Sequence, residues 1–258
     1  MMVVLFCGGL GTRLGGESNY VPKPMVNIGN KPILWHIMKY YAHYGHTDFI
    51  LCLGYKADVI KNYFLNYEYI SHDFKIINGG KKLIPKQSDI ADWTINFIDT
   101  GLGSTIGERL MAVKPYLKDE EIFLANYADT VTDLHLPDMI KYFIENKKIG
   151  CFLCVKPSMS FHVVNLKDGC CIEDIKHVRD TDIRINGGYF IFKHEIFNYI
   201  RDGEELVGEP FKRLIKENKL MGYQYNKFWH CMDTFKEQQE LNDIFEKGTA
   251  PWEVWKNG

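Results

Sequence analysis

The residues best suited to chemistry lie near the start of the chain, in MVVLFCGGLGTRLGGESNYVPKPM. A short apolar run gives way to a loop of five glycines, with Arg13 inside it and Lys23 beyond it between Pro22 and Pro24. Glycines let main-chain amides approach phosphate oxygens closely. Arg13 offers such oxygens a planar fork, and Lys23 a compact point charge on a backbone stiffened by the prolines. A Walker A loop would close on Gly-Lys-Ser/Thr, but here the string is Gly11-Thr12-Arg13. A dinucleotide loop would need a third glycine where Leu14 stands and an acid ending the second strand, which closes on Leu53-Gly54-Tyr55. A third pattern remains, Gly-Gly-x-Gly-Thr-Arg-x followed by Pro-Lys-Pro-Met. Gly8, Gly9, Leu10, Gly11, Thr12, Arg13 and Leu14, then Pro22 to Met25, match it throughout. Its two cations suit a triphosphate whose pyrophosphate becomes the leaving group.

Two carboxylates add to this. Asp129 follows the apolar run in FLANYADTVTD, and parallel α/β sheets bind ligands beyond the carboxyl ends of their strands. Asp233 lies in KFWHCMDTFKE. Magnesium takes carboxylates together with substrate phosphates, so the pair is a candidate clamp for one ion between nucleotide and acceptor. Other groups read as structural. His43 and His46 have no third ligand nearby, and they and His36 are packing or surface residues. Cys151 and Cys154 fall in the strand-like IGCFLCV, and the adjacent Cys170 and Cys171 cannot readily share an ion. Seven cysteines, an odd number, leave any disulfide framework incomplete.

The elements that must position these groups alternate between strand and helix. MVVLF is apolar throughout, as in a strand covered on both faces. KPILWHIMKYYAHY has helical spacing with Pro32 in its first turn, DFILCLGY is a strand, and ADVIKNYFLNY a helix. Beyond the poorly patterned 66–100 segment come TINFID, the helix of STIGERLMAVKPYL, the strand EIFLANYADTVTD, the helix of PDMIKYFIENKK and the strand GCFLCV. Residues 155–205 read as strands and turns, with Asn186-Gly187-Gly188 as the clearest turn, and the last quarter as mainly helical. This order predicts an α/β fold with a mainly parallel sheet. With 258 residues and no repeat or linker, one domain is expected: 1–150 mainly nucleotide-binding, 151–205 acceptor-binding, 206–258 a C-terminal extension. A net charge of -2 argues against a nucleic-acid binder. No apolar run reaches the roughly 18 residues of a membrane span, and the start lacks a signal peptide's basic region, so a cytoplasmic protein is expected.

These motifs resemble those of the sugar-nucleotidyltransferase family, and within it the glucose-1-phosphate cytidylyltransferase branch. The likeness spans nearly the whole chain: IGNKPILWHIMKYYAHYGHTDFILCLGYK, the DTG at Asp99–Gly101, GERL, INGGYFIF, FWHCMDT and EKGTAPWEVW, the last marking the cytidylyltransferase branch. The resemblance implies a three-layer, Rossmann-like fold with a small β-rich acceptor region. It also implies transfer of CMP from CTP to a phosphate monoester, with Mg2+ as cofactor and homo-oligomeric assembly. Carried over by position, Phe6, Gly8, Gly9, Leu10, Gly11, Thr12, Arg13 and Lys23 hold the nucleotide, joined by Ser104 or Thr105, Arg109 and Ala128. Arg13 and Lys23 act on the reacting phosphates, and Asp129 and Asp233 hold the metal.

The acceptor side departs from the family pattern. Tyr127, Lys176, His177, Asn186 and Gly187 are its candidates, but the expected Glu-Lys-Pro reads Ile175-Lys176-His177 in EDIKHVRD. The family's Arg-Phe-Gly is Ser160-Phe161-His162, and its Gly-Asp-Gly is Ala128-Asp129-Thr130. Isoleucine cannot accept hydrogen bonds from sugar hydroxyls. Two acceptor readings therefore stay open. One is a sugar 1-phosphate with contacts supplied by Asn186, Tyr127 or Glu209. The other is a non-sugar phosphate or acyl phosphate, of which phosphoglutamine in capsule phosphoramidate biosynthesis is one candidate. A nucleotide sensor without turnover is the third class, disfavoured by the joint presence of Arg13, Lys23, Asp129 and Asp233.

Overall fold

The computed structural model describes residues 1–9, 21–77, 88–158 and 161–256. The buried VVLF run is β1 (Val3–Phe6), and β-strand alternation sends its side chains to both faces. Val3, Leu5 and Cys7 enter one apolar core, and Val4 and Phe6 the other. A strand buried on both faces needs helices on both, which gives three layers.

A two-residue ladder, β2 (Asn27–Ile28) with β3 (Lys31–Pro32), leads into α1 (Ile33–His43). Pro32 caps that helix from an extended conformation instead of joining its first turn. Then follow β4 (Asp48–Leu53), α2 (Ala57–Leu65), the short α3 (Tyr67–Ser71), β5 (Thr94–Asp99) and α4 (Ile106–Val113). Next come β6 (Ile122–Asn126), β7 (Thr130–Thr132), α5 (Leu136–Asn146) and β8 (Gly150–Val155). A hairpin of β9 (His162–Lys167) and β10 (Cys171–His177) precedes β11 (Ile185–Lys193). The chain continues through α6 (Glu209–Lys216), β12 (Leu220–Tyr225), β13 (Trp229–Cys231) and α7 (Phe235–Glu246).

The main sheet has the order β12-β8-β11-β6-β1-β4-β5. β11 runs antiparallel to both its neighbours, and the other pairings are parallel. One edge of the sheet therefore collects six carboxyl ends and the start of β11. Buried side chains of α1, α5 and α7 pack on one face, and those of α4 and α6 on the other. Each fully buried Val, Leu or Phe contributes roughly 1.5–3 kcal/mol by leaving water.

Three expectations need correction. EIFLANYADTVTD is two strands, because Ala128 adopts φ 61 and turns the chain between β6 and β7. Asn186-Gly187-Gly188 forms no hairpin turn but lies inside β11, where the pairing with β8 shifts register. Gly188 has φ 76, and a Cβ there would lie 3.0 Å from the Tyr127 ring, so glycine marks a close approach as well as a bend. The last quarter is not mainly helical either. β12 closes one edge of the main sheet, parallel to β8 with LMGYQY half-buried along most of its length and Tyr223 and Tyr225 suited to a strand, and β13 pairs with β7.

Candidate active site

β1 lies where the chain order reverses, with β4 and β5 on one side and β6 on the other. Such a switch point opens a crevice beyond the carboxyl ends of the strands. The Cys7 amide still donates to the Cys52 carbonyl at 3.0 Å, and Gly8 and Gly9 then leave the sheet. Leu10, Gly11, Thr12 and Arg13 fall outside the described residues. A Cβ at Gly8 would lie 2.0 Å from Arg109 Nη1, so any side chain there would displace the guanidinium.

Arg109 is only 3% exposed. Its guanidinium donates to the carbonyls of Gly8 at 3.0 Å, Leu53 at 3.2 Å and Leu102 at 3.3 Å, and to the Thr100 hydroxyl at 2.7 Å. It thereby ties together the chain just beyond β1, β4 and β5. Thr105 begins α4 through a capping box with Glu108, which aims Arg109 inward. The Thr105 hydroxyl donates to the Glu204 carbonyl at 2.8 Å, and that of Ser104 to the Thr100 carbonyl at 2.5 Å.

The carboxylates meet through pairing of short strands. Asn126 Oδ1 accepts from the Ala128 amide at 2.8 Å and supports its left-handed backbone. β7 then pairs with β13, Thr130 opposite Cys231, and the Met232 amide donates to the Asp129 carbonyl at 3.0 Å. Asp233 follows immediately. Lys23, in a 3-10 turn over Lys23–Met25, donates to Asp129 Oδ2 at 2.6 Å and to Asp233 Oδ1.

Burial works against the charge on Lys23, yet the two carboxylates together outweigh it and raise its pKa. Burial lifts the Asp129 pKa above the usual carboxylate range, with Lys23 pulling it back. Asp129 Oδ1 is buried and has no hydrogen-bond partner among the described residues. An unpartnered carboxylate oxygen beside a second carboxylate is a donor set that fits a hard divalent cation. Among the described residues no three His, Cys, Asp or Glu groups form a cage, so phosphate and water would complete the coordination.

The expected acceptor residues divide into two groups. The Tyr127 ring lies 6.3 Å from that of Phe6 and its hydroxyl accepts from Asn186 Nδ2 at 3.2 Å, linking the two ends of the site. Gly187 accepts from the Trp229 indole at 2.8 Å. Lys176 instead sits on the hairpin, 59% exposed, with its ammonium on Asp174 at 2.6 Å. His177 Nδ1 accepts from the Arg179 amide at 3.1 Å, and its ring meets His162 edge-on at 5.4 Å.

Residues 2–246 match the nucleotidyl transferase family. The chain belongs to that family. It is 36% identical to the glucose-1-phosphate cytidylyltransferase of Salmonella typhimurium over 257 residues, covering 99% of this chain and 100% of the relative. A probable glucose-1-phosphate cytidylyltransferase of Bacillus subtilis is 35% identical over the same coverage. The fold matches that of a UDP-glucose pyrophosphorylase complexed with UDP-glucose, with TM-score 0.67, 15% identity, and 96% and 98% of the two chains covered. A putative glucose-1-phosphate thymidylyltransferase from Bacillus anthracis gives TM-score 0.66 at 16% identity, with 95% of each chain covered.

This nucleotidyltransferase also uses a residue that sequence reasoning passed over. Glu237 Oε2 accepts from the amides of Asp233 and Thr234, both at 2.8 Å, and fixes the backbone that carries the second carboxylate. Its signal was legible, because Thr234-Phe235-Lys236-Glu237 is a capping box at the start of α7.

Proposed function

We propose that this nucleotidyltransferase moves a cytidylyl group from MgCTP to the phosphate of a small-molecule acceptor and releases pyrophosphate. An acceptor phosphate oxygen attacks the α-phosphorus, and the bond from that phosphorus to the β-phosphate oxygen breaks. The observation that carries this reading is Lys23 held between Asp129 and Asp233 at the sheet's switch point. The full-length likeness to glucose-1-phosphate cytidylyltransferases supports CTP and a sugar phosphate as substrates.

Within this proposal Asp129 and Asp233 would hold Mg2+, which when bound neutralises phosphate charge as it develops on the leaving group. Lys23 and Arg13 bind the phosphates and favour departure of pyrophosphate. Arg109 acts through the main chain it ties together, so that Gly8 and Gly9 present a fixed cradle beside Phe6. Ser104, Thr105 and Ala128 shape the nucleotide's surroundings, while Tyr127, Asn186 and Gly187 face the acceptor. Residues 1–150, 151–205 and 206–258 would serve nucleotide, acceptor and closure of the site in turn. A homo-oligomer is part of the reading, and exposed Phe161, Leu166 and Ile172 suit burial against another copy. The cytoplasm supplies its CTP, and no helix among the described residues is long and apolar enough to cross a membrane.

The likeness to the relatives favours a sugar phosphate, and one observation keeps a non-sugar acceptor in the test. Ile175 is 58% exposed and Lys176 is turned onto Asp174, so the stretch expected to grip a sugar phosphate is engaged elsewhere. Pyrophosphate release with Mg2+ and CTP across sugar phosphates, amino-acid phosphates and acyl phosphates tests both points. Release with CTP and at least one acceptor is expected. Turnover with glucose 1-phosphate alone removes the second reading, and none with any acceptor removes the enzyme.

A further inference from the structure

The carboxyl edge of the sheet carries another concavity, on the side away from β5. β8 and β12 end together, Val155 beside Tyr225. Beyond them lies a cavity of about 370 Å³, whose lining includes Lys156, Ser158, Arg179, Lys227, Phe228 and Trp229. Three of these are cations, and no Asp or Glu lines the cavity. Walls of a single charge sign concentrate counter-ions between them.

Among the described residues none of the three cations is paired with a carboxylate. Lys156 Nζ donates to the Arg179 carbonyl at 2.6 Å, and Arg179 donates to the carbonyls of Pro157 at 3.3 Å and Ser158 at 2.8 Å. These bonds shape the rim without cancelling its charge. Lys227 makes no ion pair among the described residues. An ammonium has three donors and a guanidinium five, so every one of the three keeps donors for an incoming anion.

The cavity also communicates with the acceptor side. Its wall residue Trp229 donates to Gly187, and Ser158 Oγ lies 3.8 Å from Cys231 Sγ. Trp229 opens β13, which runs directly toward Asp233.

We propose that Lys156, Arg179 and Lys227 form a subsite for a second anionic group of the acceptor, a phosphate or a carboxylate, separate from the phosphate that receives the nucleotidyl group. The proposal rests on the nucleotidyl-transfer reading and adds a selection rule to it. Acceptors with two anionic ends are preferred over those, such as a hexose 1-phosphate, with one.

Two measurements test it. Inorganic phosphate and acetate are titrated calorimetrically into the wild-type protein, Lys227→Gln and the Lys156→Gln/Lys227→Gln double variant. Lys227 makes no hydrogen bond or ion pair among the described residues, so its variant should melt like the wild type. Affinity for the preferred anion should fall about fivefold for one exposed cation and more than tenfold for two. The tighter of the two probes identifies the group. In steady state, the KM for an acceptor with two anionic ends should rise in the variants while the KM for CTP stays constant. Equal anion affinity in all three proteins, no binding to the wild type, or parallel rises in both KM values would overturn the subsite. Absence of turnover would remove the nucleotidyl-transfer reading, but the anion titration would still report on the cavity.

Discussion

The same chemical pair occurs twice in this molecule with different consequences. Lys23 meets Asp129 at 2.6 Å, and Lys176 meets Asp174 at 2.6 Å. The first pair has side chains 16% and 21% exposed, and the second 59% and 35%. Lys23 also reaches Asp233 and so joins three distant parts of the chain, whereas Lys176 touches a residue two positions away on one strand. Water and salt screen an exposed pair, but a buried one is fixed by the desolvation that follows if it breaks. Length alone says nothing about what an ion pair does. The first cluster is assembled by the strands and turn that deliver it, which suits the role proposed for it, and the second is a surface contact on a hairpin.

The largest expected effect comes from breaking the buried cluster. Asp129→Asn keeps the shape of the side chain, and Asp233 still pairs with Lys23, so the protein should fold and melt near the wild-type temperature. Turnover should fall by about 10²–10³, the cost of losing one preorganised electrostatic group, because Asp129 orients Lys23 and would hold the cation that faces the phosphates. Steady-state pyrophosphate release measures it. Lys176→Ala, the matching change at the exposed pair, should leave kcat within about twofold, as exposed pairs contribute little. Equal losses in the two variants would abolish the distinction.

A second expectation concerns how the buried end is held to the rest of the molecule. His36 is 1% exposed and sits among Trp35, Phe245, Trp252 and Trp255, so it pins the segment that follows α7. Its Nε2 donates to the Ile28 carbonyl at 3.1 Å, and its Nδ1 accepts from the Trp252 indole at 3.3 Å. Both ring nitrogens are satisfied only when the ring is neutral, since a protonated Nδ1 would face the indole N–H. Burial pushes the His36 pKa down to about 4. The unfolded chain, with a histidine pKa of roughly 6.5, takes up the proton first on acidification. Stability from the neutral ring is thus complete above that value and is lost as pH falls toward about 4. The full loss amounts to about 3 kcal/mol. Urea unfolding at pH 7 and near pH 4 should show it in the wild type; His36→Phe should remove His36's share of that difference and leave the share of His46, whose pKa burial also lowers to about 4.

Gly8→Ala is smaller in effect but closer to the nucleotide cradle. The added methyl overlaps the guanidinium of Arg109, which must move and release the carbonyls beyond β1 and β4. Overpacking of this kind costs about 1–3 kcal/mol. A rise in the KM for CTP should accompany it, and a wild-type KM with normal stability would show that Arg109 does not set the cradle.

Legibility in the sequence follows the same division. β1, α1, β4 and α5 were readable because local pattern and tertiary burial agree: β1 and β4 are continuous buried apolar runs, α1 is buried along most of its length, and α5 buries the helically spaced Leu136, Met139 and Phe143. Lys23, Asp129 and Asp233 were readable as candidate site residues from motif context, but not as groups in mutual contact. Their meeting depends on the Ala128 reversal and the three-residue β7–β13 pairing, neither of which has a periodicity. The Asn186-Gly187-Gly188 stretch misled for a related reason. Gly187 approaches Leu153 and Trp229, and Gly188 approaches Tyr127, so glycines placed for close packing have the composition of a turn. Lys156, Arg179 and Lys227 gave no signal, because strand ends far apart in sequence bring them to one cavity.

The smallest expected effect tests the exposed member of the comparison. Ile175 stands on β10 opposite Val164, and both side chains are exposed, so a longer polar side chain meets no steric obstacle. Ile175→Glu restores the acid that the cytidylyltransferase pattern places before the lysine. It also sets a carboxylate beside Lys176, which Asp174 already engages in solvent. If the hairpin in this arrangement takes no part in acceptor recognition, melting is unchanged and the acceptor KM moves by less than about twofold, as is usual for an exposed substitution. A tenfold gain in kcat/KM for glucose 1-phosphate would instead show that the hairpin folds over the acceptor during turnover, and the contrast between the two lysine pairs would then describe the empty enzyme alone.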